Sequence, residues 1–482
     1  MVGIVLAQLP WLLGAALVGA TAVFLLTLIQ PLVGLGLVFL LGPFGALERV
    51  LFGFGVDSGQ LALLMVVAVW LARGLARRRI LLRPTFLNVP LGLFLLVMAL
   101  TLPHAPSQTE GLKELLKWIE AGLVLLLVVD LGLELSENGR FTFPLWLVAG
   151  LLLLPGLLQA IIGIWQFGLR GDGPDHFLVL GQFYRASGSF EQPNPYGGFI
   201  NLSLLLALGI FLGLLADVWR RWRAAAPGFT LWRPAVWGPL AVMGGLSGLL
   251  GLALLFSWSR GAWLGFVAGT AVLLLFWPLK RRWGVVLLLT AGLLFFAGLQ
   301  LRLIPASVAD RLVNFSQDLQ LGDARGVDIT DLNYAVVERL AHWQAALDMA
   351  QESLWLGVGF GNYAAAYPRY ALINWPDALG HAHNYYLNLL AEVGVIGLSA
   401  YLGLWLLIFW QTGRLLRQFN GAERGIALGL LAVWTALSVH HLVDKLYVNN
   451  LYLHLGGMWG LLVLLGHLAK INLGCKRYSW WP

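Results

Sequence analysis

The sequence predicts an all-α, polytopic membrane protein, and three observations carry that prediction. The chain has 482 residues, of which 59% are hydrophobic and only 11% charged, against roughly 25% charged in a soluble domain. Its mean hydropathy is +0.78, which excludes even a large soluble core, because such a core still needs a charged shell. The apolar residues fall in long blocks such as LWLVAGLLLLPGLLQAIIGIW (residues 145–165). In lipid these satisfy their own backbone as helices, whereas a membrane barrel needs short alternating strands.

Charge and cysteine narrow the function classes. The formal net charge of +7 comes from 31 Lys and Arg against 24 Asp and Glu. Many of the basic residues sit at the ends of apolar blocks, where they read as topology signals, so no nucleic-acid partner is expected. The single cysteine, Cys475, cannot form an internal disulfide and has no companions for a zinc site. The opening MVGIVLAQLPWLLGAALVGA lacks a basic leader and a persuasive cleavage site, so it reads as a retained first membrane segment.

Taken along the chain, segments long and apolar enough to span lie near 60–76, 88–103, 116–133, 144–168, 196–217, 236–256, 262–278, 284–303, 391–411, 424–442 and 449–468. The stretch 11–48 adds one span with a re-entrant or interfacial piece, or two spans. The total is about twelve, or thirteen on the second reading. Basic clusters at 73–83, 220–223, 280–282 and 414–419 are separated by even numbers of these spans, so all can lie on the cytoplasmic side. By the same parity the loop at 169–195, the turn at 257–261 and the segment from about 304 to 390 fall together outside. The C-terminal Lys470, Lys476 and Arg477 fall inside.

The 304–390 segment is too long for a structureless loop and should contain helices. Within it, NYAVVERLAHWQAALDMAQES places Val337, Leu340, Trp343, Leu347 and Met349 at helical spacing, which predicts an amphipathic helix over the membrane part. Gly357, Gly359 and Gly361 then mark a turn; no strand precedes them to suggest a nucleotide loop. With no repeat and no low-complexity linker, the chain reads as one integral domain over 1–482 with an external helical loop at about 304–390.

Charges near bilayer depth are costly and commonly face a cavity or a partner. Arg185 precedes a turn-rich stretch, Asn194 among it, that leads into a span. It is either an interfacial arginine or an anion contact, since a guanidinium holds phosphate oxygens in pairs. Arg260, in FSWSRGAWLG, sits between two spans with almost no loop; it is either a topology anchor or a second anion contact, and its outside placement weakens the anchor. Two such guanidiniums suit a diphosphate. His381 and His383 precede a span containing Glu392. Two histidines with no clear third ligand are weak evidence for a metal, and none is expected. A neutral histidine can instead take a proton from a sugar hydroxyl, which makes His383 a candidate base and Asn384 its orienting, substrate-contacting neighbour; an interfacial histidine is the plainer reading. Arg339 and His342 can line the cavity from the amphipathic helix, or sit on its solvated face. His440 and His441, with Asp444 and Lys445, read as a local hydrogen-bonded or ion-paired cluster.

In order, the Arg185 segment, SWSRGAW at 257–263, ERLAHWQAALDMAQESLWLGVGFGNY at 338–363 and HAHNYYLNLLAEVGVIGL at 381–398 resemble the O-antigen ligase and O-antigen polymerase family of bacterial membrane glycosyltransferases, over most of the chain. The resemblance implies a GT-C type helical membrane fold and a metal-independent, inverting transfer of a glycan from undecaprenyl diphosphate, with no cofactor. It implies Arg185 and Arg260 on the donor diphosphate, His383 activating the acceptor hydroxyl, and Arg339 as a secondary polar contributor; His342 and Asn384 are candidate substrate contacts by their placement. It implies a multi-pass protein of the inner or plasma membrane whose active site faces the periplasm or exterior. For a ligase the acceptor is lipid A-core; for an O-antigen or exopolysaccharide polymerase it is a repeat unit on a second carrier. A lipid-linked-glycan transporter is the alternative of another class. It predicts alternating-access repeats and no need for a base at His383.

Overall fold

The computed structural model describes residues 11–52, 56–78, 82–136, 142–224, 234–309, 323–330 and 333–472. Cys475, Lys476 and Arg477 lie outside them. Among the described residues the chain is helical, apart from a hairpin of two two-residue strands, β1 (Leu178–Val179) and β2 (Phe183–Tyr184). The helices are α1 (Trp11–Ile29), α2 (Pro31–Leu41), α3 (Gly45–Phe52), α4 (Ser58–Ala76), α5 (Asn88–Thr101), α6 (Gln108–Ser136), α7 (Phe143–Gly168) and α8 (Pro193–Arg223). They continue as α9 (Pro234–Phe256), α10 (Arg260–Phe276), α11 (Arg281–Gln300), α12 (Tyr334–Glu352), α13 (Tyr363–Ala366), α14 (Tyr385–Leu416), α15 (Gly421–His440) and α16 (Leu451–Asn472). Among the described residues, 9 helices are long and apolar enough to cross a membrane, and Asn88–His104 and Arg260–Phe276 are shorter apolar helices. The chain is thus a multi-pass, all-α membrane protein. The ambiguous 11–48 stretch is two helices, α1 and α2, broken at Gln30 before Pro31, followed by a tight turn at Gly42–Phe44.

The described residues gather into two compact units, each drawn from several stretches of chain. The first takes Met1–Pro84, Glu120–Pro155 and Asn449–Leu464. Asp57 caps α4 by accepting from the Gln60 amide, and Asn450 Nδ2 donates to both Asp57 Oδ2 (2.7 Å) and Gly42 O (3.1 Å). The Asp130 carboxylate accepts from Trp70 Nε1 at 2.7 Å and Arg83 Nε at 3.0 Å.

The second unit takes Thr85–Ile119, Gly156–Val448 and Leu465–Pro482, and holds every candidate site residue. Its centre is α8 against α15, where glycines face glycines: a Cβ on Gly425 would fall 2.5 Å from the Gly209 carbonyl, so only bare backbone permits this approach. At one end Arg424 donates to the Trp277 carbonyl (2.7 Å), Trp277 Nε1 to Leu212 O (3.0 Å), and the Ala422 amide to Asp217 Oδ2 (2.8 Å). The basic stretches at 220–223 and 414–419 flank these contacts. The opposite end holds 185, 257–261 and 383.

The expected amphipathic helix is α12. Its buried face is made by Val337, Ala341, His342, Ala345, Ala346, Met349 and Ala350, whereas Leu347 is 41% exposed. Positions 337, 341, 345 and 349 repeat every four residues, and Leu347 falls between them on the other side. Small alanines, not the large residues, let this helix pack closely.

Candidate active site

Arg185 is held from two sides. Following β2, its backbone N–H donates to Phe177 O (2.9 Å) and the next amide, of Ala186, to Phe256 O (2.9 Å). Its Nε donates to the Ser257 carbonyl at 3.1 Å, and a terminal nitrogen lies 3.5 Å from Asn194 Oδ1. Two glutamines of α7 tether the segment after it. Gln166 Oε1 accepts from the Ser187 and Gly188 amides (3.0 and 2.7 Å), and Gln159 accepts from the Ser189 amide (3.0 Å) while donating to its hydroxyl (2.8 Å). These glutamines, seven positions apart on one face of an otherwise apolar helix, are positioning residues that the sequence reading passed over.

Arg260 begins α10. Ser259 caps that helix, accepting from the Ala262 amide, and its hydroxyl donates to Asn194 Oδ1 at 2.8 Å, so Asn194 joins the Arg185 and Arg260 segments. Next to it, a Cβ on Gly261 would fall 2.7 Å from the His440 ring, which brings the end of α15 against the start of α10. Arg339, on α12, lies within electrostatic reach of both Arg185 and His440. Burial, then the Arg260 and Arg339 guanidiniums, push the Arg185 pKa down to about 10. Arg185 stays charged at neutral pH, with two like charges close enough to act on it.

His342, one turn along α12 from Arg339, is completely buried. Its Nδ1 lies 3.0 Å from the Tyr363 hydroxyl, its ring stacks on Tyr367 with centroids 4.8 Å apart, and the His383 ring meets it edge-on at 5.6 Å. Burial, with His383 adding to it, lowers its pKa to about 4, so this imidazole is neutral at physiological pH. The buried His342 ring thus packs against both Tyr367 and His383.

His383 has φ 51°, a left-handed conformation unusual for a residue with a side chain. Its amide donates to His381 Nδ1 at 3.1 Å. Asn384 caps α14, accepting from the Tyr386 and Leu387 amides at 3.0 and 3.1 Å, so its carboxamide oxygen is engaged in fixing the chain beside His383. Asp444 completes the group: its Oδ1 lies 3.8 Å from His383 Nδ1 and 3.7 Å from His381 Nε2, and accepts from the Lys445 amide. Burial opposes its ionisation, but the neighbouring His383, His381 and His440 hold this carboxyl well below the usual carboxylate range. Lys445 in turn pairs with Glu114 at 3.0 Å, and Glu114 with Lys117 at 2.6 Å. Asp444 was legible only as part of a local cluster; its place against His383 comes from the fold.

His381, His383 and Asp444 offer ligand atoms all within 4.8 Å of one another. In this arrangement, however, His381 Nδ1 accepts the His383 amide hydrogen, so the hydrogen of the neutral ring is on Nε2, the nitrogen that faces Asp444. A cation there would require His381 to give up that hydrogen bond or turn its ring, the reverse of the usual second-shell support of a metal-bound histidine.

The loop before these residues is fixed by the glycine turn. The Val358 and Gly359 amides donate to Ala391 O and Glu392 O (2.8 and 2.9 Å), and Glu392 Oε1 accepts from the Tyr363 amide at 3.0 Å. Gly357, Gly359 and Gly361 all have positive φ, at 65°, 115° and 70°, as expected for a turn built on glycine. The sequence-predicted Arg185, Arg260, Arg339, His342, His383 and Asn384 therefore come from distant parts of the chain to one end of the second unit.

Residues 245–402 match the family model described as O-antigen ligase. That segment carries Arg260, Arg339, His342, His381, His383 and Asn384, and leaves Arg185 and Asp444 outside it. Over 377 residues the chain is 23% identical to the teichuronic acid biosynthesis protein TuaE of Bacillus subtilis (strain 168), covering 77% of this chain and 68% of that protein.

Proposed function

We infer that this chain, whose residues 245–402 match the O-antigen ligase family model, is a membrane glycosyltransferase of polysaccharide biosynthesis that moves a glycan from undecaprenyl diphosphate to an acceptor hydroxyl. The observation that carries the reading is the convergence of the Arg185, Arg260 and Arg339 guanidiniums with the His383–Asp444 pair at one end of the molecule. An anion among those guanidiniums relieves their mutual repulsion, and a diphosphate supplies both the charge and the oxygens that guanidinium forks bind.

The chemistry follows from the positions. The acceptor O–H loses its proton to a neutral His383 as its oxygen attacks the anomeric carbon. The bond from that carbon to the diphosphate oxygen breaks, and its electron pair leaves with the lipid diphosphate, whose growing charge Arg185 and Arg260 stabilise. Asp444, beside Nδ1, offsets the positive charge that forms on the ring and leaves Nε2 to meet the acceptor. Single displacement inverts the anomeric centre. The leaving group is already activated, so positioning and charge stabilisation suffice without a metal. The positive-inside rule, applied to the basic clusters, supports a site on the periplasmic or external face of the membrane.

The match to a family described as O-antigen ligase supports the ligase reading, with lipid A-core as the proposed acceptor. The relative named for teichuronic acid biosynthesis favours a second reading, in which a carrier-linked repeat unit is the acceptor and the protein is a polymerase. Reconstitution with a defined undecaprenyl-diphosphate glycan and, separately, lipid A-core or carrier-linked acceptors separates the two by product mass and linkage. Core addition supports ligation, and serial growth on the carrier supports polymerisation. Passage of the donor across the bilayer with no transfer overturns both.

A further inference from the structure

We propose that Leu354 and Trp355 seat in the lipid bilayer, in the leaflet on the side of the active site, and so pin the end of α12 to the membrane. Both are apolar and open, 48% and 65% exposed, directly after the helix that carries Arg339 and His342 ends at Glu352. Their depth is set by α14. That helix breaks at Gly394 (φ 62°, ψ −167°), and the Val395 and Ile396 amides, freed by the break, donate to the carbonyls of Leu354 (2.9 Å) and Trp355 (3.3 Å).

From Val395 the sequence runs without a charged residue to Arg414, at the basic end. At 1.5 Å per residue that stretch is about 28 Å long, close to the roughly 30 Å of a bilayer's hydrocarbon. With Arg414 at one boundary, Val395 and Ile396 stand at the other, and these two are themselves 36% and 43% exposed. Leu354 and Trp355, hydrogen-bonded to them, share that level. Their open surface continues the lipid-facing surface of α14, which identifies lipid as the occupant, and tryptophan is the side chain that most favours the boundary between acyl chains and headgroups.

The consequence reaches the site. The membrane plane itself holds the height of α12, and with it Arg339 and His342, relative to any lipid-borne substrate. The placement of Leu354 and Trp355 does not depend on which reaction the site performs, and its test reads depth rather than activity.

The protein has one cysteine, so Cys475→Ser gives a background for spin labels in proteoliposomes. Labels go on Trp355→Cys, on Leu354→Cys, which keeps the tryptophan, and on Asn374→Cys, an exposed position of the same extramembrane segment. The labels at 354 and 355 should collide more with oxygen than with a water-soluble nickel chelate, and the label at 374 should show the reverse. Equal access of nickel chelate at 354, 355 and 374 overturns the proposal. Protection of 354 and 355 from both reagents also overturns it, because that marks a protein surface over them instead of lipid.

Discussion

His383 Nδ1 and Asp444 Oδ1 face each other at 3.8 Å, and the two segments that carry them are joined by the Tyr385 amide on the His441 carbonyl at 2.8 Å and the Tyr386 hydroxyl on the Ser438 carbonyl at 2.9 Å. At that distance the contact is electrostatic. Asp444→Asn keeps the shape and removes the charge. The expected outcome is a fall in turnover of roughly 100-fold or more, the range for loss of general base assistance, with donor affinity held within a few-fold. Single-turnover transfer at saturating donor measures it, and unchanged turnover removes Asp444 from the proposed mechanism.

Arg185 is aimed by its Nε bond to the Ser257 carbonyl, which lysine cannot reproduce while also reaching an anion with a fork of donors. Arg185→Lys should therefore weaken donor binding. The loss of one charged hydrogen bond is worth about 1.5–3 kcal/mol, or about 10- to 100-fold in affinity. Gln166→Leu should give a smaller loss of the same kind, because it frees the Ser187 and Gly188 amides without touching the guanidinium. Titration with a non-transferable lipid diphosphate reads both, and wild-type affinity in Arg185→Lys argues against a diphosphate at this position.

The buried His342 makes stability depend on pH. Its pKa in the folded protein, about 4, lies below its ordinary value of 6.5, so the unfolded chain binds more protons between the two. Its contribution is complete above pH 6.5 and is lost as pH falls toward 4, at about 1.4 kcal/mol for each pH unit. His381, lowered to about 3 by burial and then by His383, acts in the same direction. Melting temperature in detergent should fall across that interval, and less steeply in His342→Gln. An identical slope in the variant would mean that other groups dominate.

Much of this site is legible in the sequence, and the part that is not has a physical cause. Arg185, Arg260 and His383 stand out because a charged or titratable group flanked by spans has no cheap place in lipid, and the parity of basic clusters then puts them on one side. Asp444 resembles any polar residue at the end of a span until the turn after α15 is folded. The buried face of α12 is misread at Leu347 because side-chain size draws attention, while the four-residue repeat of Val337, Ala341, Ala345 and Met349 decides the packing. Gln159 and Gln166 hide for the opposite reason, since uncharged residues in a span raise no alarm although their amides have no water to bind there.

Gly394 supplies a prediction whose sign is opposite to the one a helix invites. Glycine inside a helix ordinarily costs about 0.5–1 kcal/mol relative to alanine, so Gly394→Ala in the long apolar α14 would be expected to stabilise. Here the residue has φ 62°, and a Cβ would overlap the Trp355 carbonyl carbon and oxygen. Alanine must either hold that strained conformation, at about 1–3 kcal/mol, or straighten the helix and expel the Leu354–Trp355 segment from its hydrogen bonds to Val395 and Ile396. Either route destabilises the connection between α12 and α14. Gly394→Ala should therefore lower the melting temperature and raise hydrogen exchange at residues 353–359, while the ends of α8 and α15 near Ala422 stay protected. A gain in stability with unchanged exchange at 353–359 would show that α14 runs straight through this position.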